Sequence, residues 1–141
     1  MANTVCTSFK EELLSGEHDI ATGGDTYKLA LYTSSSSINA AATAIYTTSD
    51  EVPNSGTYAA GGGTLANQSV AVSGTTAVVD FDDLSFTSAS INARYALIYR
   101  DGTPTKACCV LDFTTDQIST SGTFTIQFPA AGASTAIIRI A

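Results

Sequence analysis

The sequence predicts an all-β fold: an antiparallel β-sandwich, Ig-like or jelly-roll-like, of about eight strands with one short N-terminal helix. Apolar and polar residues alternate in several short segments, which is typical of half-buried strands. Turn residues separate these segments at short, regular intervals. Ser and Thr make up 37 of the 141 residues, and the branched Thr side chain favours strands. The length indicates one domain, residues 1–141; a flattened barrel fits the same pattern.

The helix is predicted near the N-terminus. Ser8 and Glu11 have the spacing of a capping box, in which each side chain bonds the other residue's backbone amide. Phe9 and Leu13 share one helix face, and Gly16 supplies a left-handed stop. Two turns of helix are not stable alone, so this face must dock on its own sheet or on a neighbouring subunit.

The strands follow from the period-two pattern and the turns between them. Ser73-Gly74-Thr75 and Asp101-Gly102 favour hairpin turns. Apolar residues on both faces of two segments, around Leu97 and around Cys109, indicate central strands. The predicted strands are Tyr27–Tyr32, Leu65–Val72, Thr76–Phe81, Leu84–Phe86, Arg94–Tyr99, Lys106–Phe113, Phe124–Phe128 and Ala136–Ile140.

Residues 34–63 read as a long irregular excursion. They contain a serine run, three alanines, Pro53 and the run Gly61-Gly62-Gly63. A short helix is predicted around Ala40–Tyr46. The glycine run lacks the Lys of a phosphate loop, so backbone freedom in a turn explains it better. Loops of this length are usually functional or disordered, and we expect intermolecular contacts here.

The three cysteines, Cys6, Cys108 and Cys109, do not form a metal-binding or disulfide pattern. Their number is odd and no C-x-x-C spacing occurs. We interpret them as small buried hydrophobes, with a vicinal disulfide or a redox role as the alternative. Free thiols indicate a reducing compartment, and no cofactor is predicted.

The charge balance bears on partners. The formal net charge is −7, with only six Lys and Arg residues, so nucleic acid and anionic membranes are poor partners. The N-terminal segment lacks the basic and apolar regions of a secretory signal, and no segment is apolar for long enough to span a membrane. Synthesis in a cytoplasm is expected.

Two groups of residues could carry chemistry. His18 lies between Glu17 and Asp19, but sequence neighbours on a turn point in different directions; we predict a solvated loop histidine and no enzymatic activity. Asp80, Asp82 and Asp83 form the densest carboxylate cluster. A charged turn that protects a strand edge explains it, and a weak calcium site is the alternative.

The tyrosines divide into two groups. Tyr27, Tyr95 and Tyr99 belong to predicted strands and are assigned to the core or its edge. Tyr46 and Tyr58 lie in the long excursion and are the better candidates for intermolecular contact. Tyrosines that stack on sugars would instead indicate a carbohydrate-binding module.

The sequence also resembles a family of small structural proteins of tailed bacteriophages. The opening segment, the strand that follows it and the ending carry this likeness, which runs nearly end to end. It rests on strand and turn patterns, without reactive groups. The matching segments are 2–10, 13–16, 25–32, 58–62, 96–99, 122–129 and 137–140. The vicinal Cys108-Cys109 is not part of the family pattern.

The resemblance implies a virion protein, most like a capsid decoration (cement) protein on the capsid surface. Its implied partners are the major capsid protein of the phage head and further copies of itself, as a dimer or trimer. We expect residues 1–16 and 34–63 to reach neighbouring subunits. The interface candidates are Val5, Phe9, Leu13, Tyr46 and Tyr58. A tail or fibre component and a carbohydrate-binding module are the alternative functions.

Overall fold

The computed structural model describes residues 2–141, with side chains described from Thr4 onward. Met1, the first residue of the segment 1–16 that we expect to reach neighbouring subunits, lies outside the described residues. One short helix and eight strands follow each other along the chain. They are β1 (Ala2–Val5), α1 (Thr7–Leu14), β2 (Tyr27–Tyr32), β3 (Gly63–Thr64), β4 (Ser69–Ser73), β5 (Thr76–Asp80), β6 (Leu84–Arg100), β7 (Lys106–Ile126) and β8 (Ile138–Ile140).

The strands form two antiparallel sheets. The larger sheet has the order β1-β7-β6-β2-β3 and the smaller one the order β4-β5-β8. Apolar side chains from both sheets belong to one buried cluster, as in a sandwich. The predicted all-β antiparallel sandwich with one short N-terminal helix is therefore confirmed.

The strands β6 and β7 form one long hairpin, paired from Arg100↔Lys106 at the turn to Leu84↔Ile126 at the far end. The sequence pattern predicted four separate strands in these two segments, which is wrong. The ladder continues through a Ser- and Thr-rich stretch that the alternation pattern did not mark as strand, and it contains several register shifts. Ser88 and Thr114, with positive φ of 50° and 68°, accommodate this irregular backbone.

The predicted hairpin around Gly74 is confirmed. Ser73 pairs with Thr76, and Gly74 has a φ of +65°, which glycine adopts without strain. The strand β4 begins four residues later than predicted. Leu65, where it was expected to begin, instead donates its N–H to the Tyr27 carbonyl at 2.9 Å and is buried.

The core lies between the sheets, and adjacent residues of the central strands are buried. Leu97 and Ile98 are both fully buried, as predicted for a central strand. The three cysteines are free and buried, which confirms their interpretation as small core residues. Burial raises the pKa of the Cys6 thiol to about 11 and that of Cys109 to about 12, so these thiols stay protonated at neutral pH.

The excursion between β2 and β3 contains no helix at 40–46, so that prediction is wrong. The Asn39 side chain accepts hydrogen bonds from the Ala41 and Ala42 amides at 3.1 and 2.9 Å. This side-chain turn competes with helix formation. The excursion returns to the sheet where the Val52 amide donates to the Leu31 carbonyl at 2.9 Å.

Candidate partner-binding groove

The helix α1 begins where β1 ends. Cys6 is its N-cap residue, and the Cys6 amide donates to the Cys108 carbonyl at 2.8 Å. The predicted capping box is wrong, because Ser8 lies inside the helix and its buried Oγ has no hydrogen-bond partner. Sheet pairing therefore sets the start of the helix. Its end is as predicted: Gly16 has a φ of +73°, and its amide donates to the Leu13 carbonyl.

The helix docks on its own domain. Phe9 is fully buried in the core, and Leu13 packs against it partly buried. Leu14, one residue further around the helix, is 93% exposed. The helix therefore buries one apolar side chain as an anchor and leaves another unused on the surface.

A network of polar contacts links α1 to the larger sheet. The His18 ring is the centre: its Nε2 lies 2.6 Å from Glu12 Oε2, and its Nδ1 lies 3.0 Å from the Tyr27 hydroxyl. Lys106 pairs with the other Glu12 oxygen at 3.4 Å and also with Glu17. The network connects the helix to β2 and β7.

The structure corrects the prediction of a solvated His18. The imidazole is fully buried, with its edge against the Phe9 ring at 4.6 Å between centroids. Burial lowers the pKa of His18 although Glu12 opposes that shift. In the neutral ring, Nε2–H donates to Glu12 and Nδ1 accepts from Tyr27. Burial also raises the pKa of Tyr27, which keeps its hydroxyl available as the donor.

A groove of about 510 Å³ runs between α1 and the edge of β8. Its lining is apolar except for two cations, and it includes three of the predicted interface residues. The lining residues are Val5, Phe9, Lys10, Leu13, Leu14, Ile138, Arg139 and Ile140. A smaller cavity of about 280 Å³, lined in part by Phe9, Leu13 and His18, adjoins it. The groove's floor belongs to the core, whereas its rim is exposed: Leu14 at 93% and Ile140 at 55%.

The two cations of the groove differ from the other four in the chain. Lys28, Arg94, Arg100 and Lys106 each form an ion pair with a carboxylate. Lys10 and Arg139 form none within the part of the chain that the structure describes. Exposed apolar side chains beside unpaired cations suit a partner segment that offers apolar side chains and carboxylates.

The other two interface candidates lie elsewhere, around Glu51. The Tyr46 hydroxyl donates to Glu51 Oε2 at 2.5 Å, and the Tyr58 hydroxyl and the Gly61 amide donate to Oε1, each at 2.8 Å. Tyr58 is only 1% exposed, so it cannot form a surface contact in the folded chain, and that part of the interface prediction is corrected. Tyr46 is half-buried.

Further contacts fix the same region, which we call the Glu51 cluster (Tyr46, Glu51, Tyr58, Gly61 and Tyr99). The Tyr46 and Tyr99 rings stack at 4.9 Å between centroids, and the Tyr99 hydroxyl donates to the Gly61 carbonyl at 2.7 Å. A Cβ at neighbouring Gly62 would lie 1.8 Å from the Leu29 carbonyl oxygen, so only glycine fits there. The long excursion is thus held tightly against the sheet at this point.

The carboxylates of Asp80, Asp82 and Asp83 have separate partners. Asp82 accepts from the Asn67 side chain at 2.5 Å, and Asp83 accepts from the Phe128 amide at 2.8 Å. Asp80 accepts from the neighbouring Phe81 amide at 3.0 Å. Among the described residues, no three His, Cys, Asp or Glu side chains come together in an arrangement that could hold a metal ion.

Sequence reasoning named Val5 and Leu13, which line the groove, but missed its exposed rim. It also named Phe9, whose side chain is fully buried and cannot contact a partner in the folded chain, so this part of the interface prediction is corrected as well. Leu14 directly follows Leu13 and therefore lies outside the helix face that Phe9 and Leu13 share, so its exposure could have been expected from the sequence. Ile140 lies on the same strand face as the buried Ile138 but at the end of a three-residue strand, where it is exposed. The unpaired state of Lys10 and Arg139 depends on distant carboxylates and has no local signal.

Within residues 2–141, no helix has the length and apolar character needed to cross a membrane. Comparisons of the chain with protein-family models, with curated proteins and with solved structures found no significant match. The groove and its unpaired cations therefore provide the structural basis for a functional proposal.

Proposed function

We propose that this chain is a non-enzymatic structural protein of a tailed-phage particle, a decoration protein that binds and stabilises the capsid shell. The groove between α1 and β8 is its contact with the major capsid protein. The single observation that carries this proposal is the pair of exposed apolar side chains, Leu14 and Ile140, beside the unpaired Lys10 and Arg139.

The sequence resemblance supports the biological setting, and the groove supports the mode of binding. An exposed Leu at 93% gains free energy only when a partner covers it, at about 25 cal/mol per Å² of apolar area removed from water. The two cations add orientation, because a carboxylate placed between them is attracted whereas a cation is repelled. Many equivalent contacts on one shell raise the overall affinity through multivalency.

Co-sedimentation with undecorated phage heads tests this proposal. We expect the chain to saturate regular positions on the heads. Leu14→Asp should weaken binding at least tenfold, because it places a carboxylate in the apolar rim. The double reversal of Lys10 and Arg139 to Glu should also weaken it, and this effect should diminish at high salt.

The matched control is Ile118→Asp on β7. Ile118 is also exposed, at 69%, but does not line the groove, so this variant should bind like the unmodified chain. Equal loss in both Asp variants would contradict the role of the groove. Binding to isolated tails but not to heads would favour a tail or fibre component, and absence from both would overturn the proposal.

A further inference from the structure

A second surface, separate from the outer rim of the groove, lies on β4. This strand is one edge of the smaller sheet, and within the described residues it pairs with β5 alone. Four of its five residues are exposed. Val70 is 52% and Val72 is 74% exposed, so the strand presents two apolar side chains to solvent.

The edge β4 lacks the features that normally protect an open strand. Natural edges carry charged residues, prolines or bulges that prevent pairing with another chain. The strand β4 contains only Ser, Val and Ala, and its register with β5 is uninterrupted from Ser69↔Asp80 to Ser73↔Thr76. The opposite edge of the sheet, β8, carries Arg139 at its centre.

The sequence of β4 is a palindrome. Ser69-Val70-Ala71-Val72-Ser73 reads the same in both directions around Ala71. Two antiparallel copies related by a twofold axis at Ala71 would place Ala71 opposite Ala71 of the second copy. Val70 would face Val72 of that copy, and Ser69 would face its Ser73. Cross-strand pairs of β-branched side chains and of hydroxyls stabilise antiparallel sheets.

Charge also favours a second copy at this edge. The chain has a net charge of −7, so two copies repel each other overall. The uncharged β4 edge brings no like charges into direct opposition. A twofold axis presents the same patch from both subunits, and a self-complementary strand satisfies that requirement.

We propose that β4 is a self-association surface, through which two copies pair antiparallel about Ala71 and join their three-stranded sheets into one six-stranded sheet. The order of that sheet is β8-β5-β4 followed by β4-β5-β8 of the second copy. The two grooves remain at its outer ends, beside the β8 edges. This inference does not depend on the decoration function.

Site-specific cross-linking of the full chain tests the register. Residues directly opposite in antiparallel strands have Cα atoms about 4.5–5.5 Å apart, within disulfide range. Ala71→Cys should therefore form a covalent dimer under oxidised glutathione. Ser73→Cys alone should not, because the two cysteines would lie about four residues apart, roughly 13 Å along the strand. Mixing Ser69→Cys with Ser73→Cys should restore the cross-link. The native cysteines are buried and should not interfere.

Sedimentation velocity over a range of concentrations tests the association itself. Val72→Lys should weaken it at least tenfold while the far-UV circular dichroism stays unchanged, since the side chain is exposed. Ile118→Lys, at another exposed apolar position, is the control and should associate normally. A chain that stays monomeric and forms no Ala71→Cys dimer would overturn the proposal. Equal cross-linking of Ala71→Cys and Ser73→Cys, or an effect of Ile140→Lys but not of Val72→Lys, would do the same.

Discussion

The groove and the Glu51 cluster each include residues of one of the two segments, 1–16 and 34–63, that we expected to make contacts, yet they are built in opposite ways. In the Glu51 cluster, polar groups are paired with each other: one carboxylate accepts three hydrogen bonds. Beneath the groove, the polar side chains around His18 are hydrogen-bonded to one another. At its rim, the apolar side chains of Leu14 and Ile140 are exposed to solvent. An irregular loop is therefore not by itself a binding surface; unused apolar area and unpaired charge distinguish the groove.

The largest expected effect is the difference in unfolding free energy between a variant in the floor of the groove and one at its rim. Phe9→Ala should cost about 3–5 kcal/mol of unfolding free energy, because it leaves a cavity in the core. Leu14→Ala, five residues later on the same helix, should change it by less than about 0.5 kcal/mol. Urea unfolding of the two variants measures both values. A large loss for Leu14→Ala would show that the rim is structural and would remove the basis for treating it as a binding surface.

The next effect concerns the Glu51 cluster. Glu51→Ala should lower the free energy of unfolding by about 2–3 kcal/mol, because it removes the acceptor of two tyrosine hydroxyls and the Gly61 amide. Glu51→Gln has nearly the same shape and keeps one acceptor oxygen, so it should lower the free energy of unfolding by less. Guanidinium unfolding, with near-UV circular dichroism to follow the tyrosines, provides the measurement. If both variants unfold like the unmodified chain, the cluster does not hold the excursion in place.

The smallest expected effect is a pH dependence of stability that arises from His18, beneath the groove. The pKa of His18 is lowered in the folded chain from an ordinary value of 6.5, so the unfolded chain binds more protons as the pH falls below that value. The stabilising contribution of neutral His18 is complete above pH 6.5 and decreases as the pH falls towards the lowered pKa.

Urea midpoints at pH 7.5 and 5.5 check this sign. The unmodified chain should be less stable at pH 5.5, and His18→Gln should lose most of that difference. Glu17 and Asp112 have lowered pKa values, so they affect stability at more acidic pH and do not confuse this comparison. Greater stability at pH 5.5 that His18→Gln removes would mean that His18 is protonated next to Glu12 and would contradict the expected sign.

Much of the fold could be predicted from the local sequence, because many strands alternate apolar and polar residues and are separated by recognisable turn residues. The bounds of β2 and the hairpins at Gly74 and Asp101-Gly102 followed from alternation and turn chemistry alone. The two-residue strand β3 is too short to show a period. The strand β1 had no visible partner in the local sequence, because it pairs with residues 109–112.

The polar network was beyond local reasoning for a similar reason. Glu17-His18-Asp19 is a polar tripeptide, and nothing nearby indicates that its middle residue is buried. The burial of His18 comes from Phe9, Tyr27 and Glu12, which the fold brings around it. Likewise, the excursion was recognised as irregular, but only the structure shows that Glu51 holds it.

The pairing of β1 with β7 has a consequence for synthesis on the ribosome. The first strand can pair only after residues 109–112 have left the exit tunnel, so β1 stays unpaired while the segment between it and β7 is synthesised. Contacts between such distant parts of a chain slow folding, and exposed apolar segments invite aggregation meanwhile. Abundant expression should therefore benefit from chaperones that protect the nascent N-terminal segment until the large sheet closes.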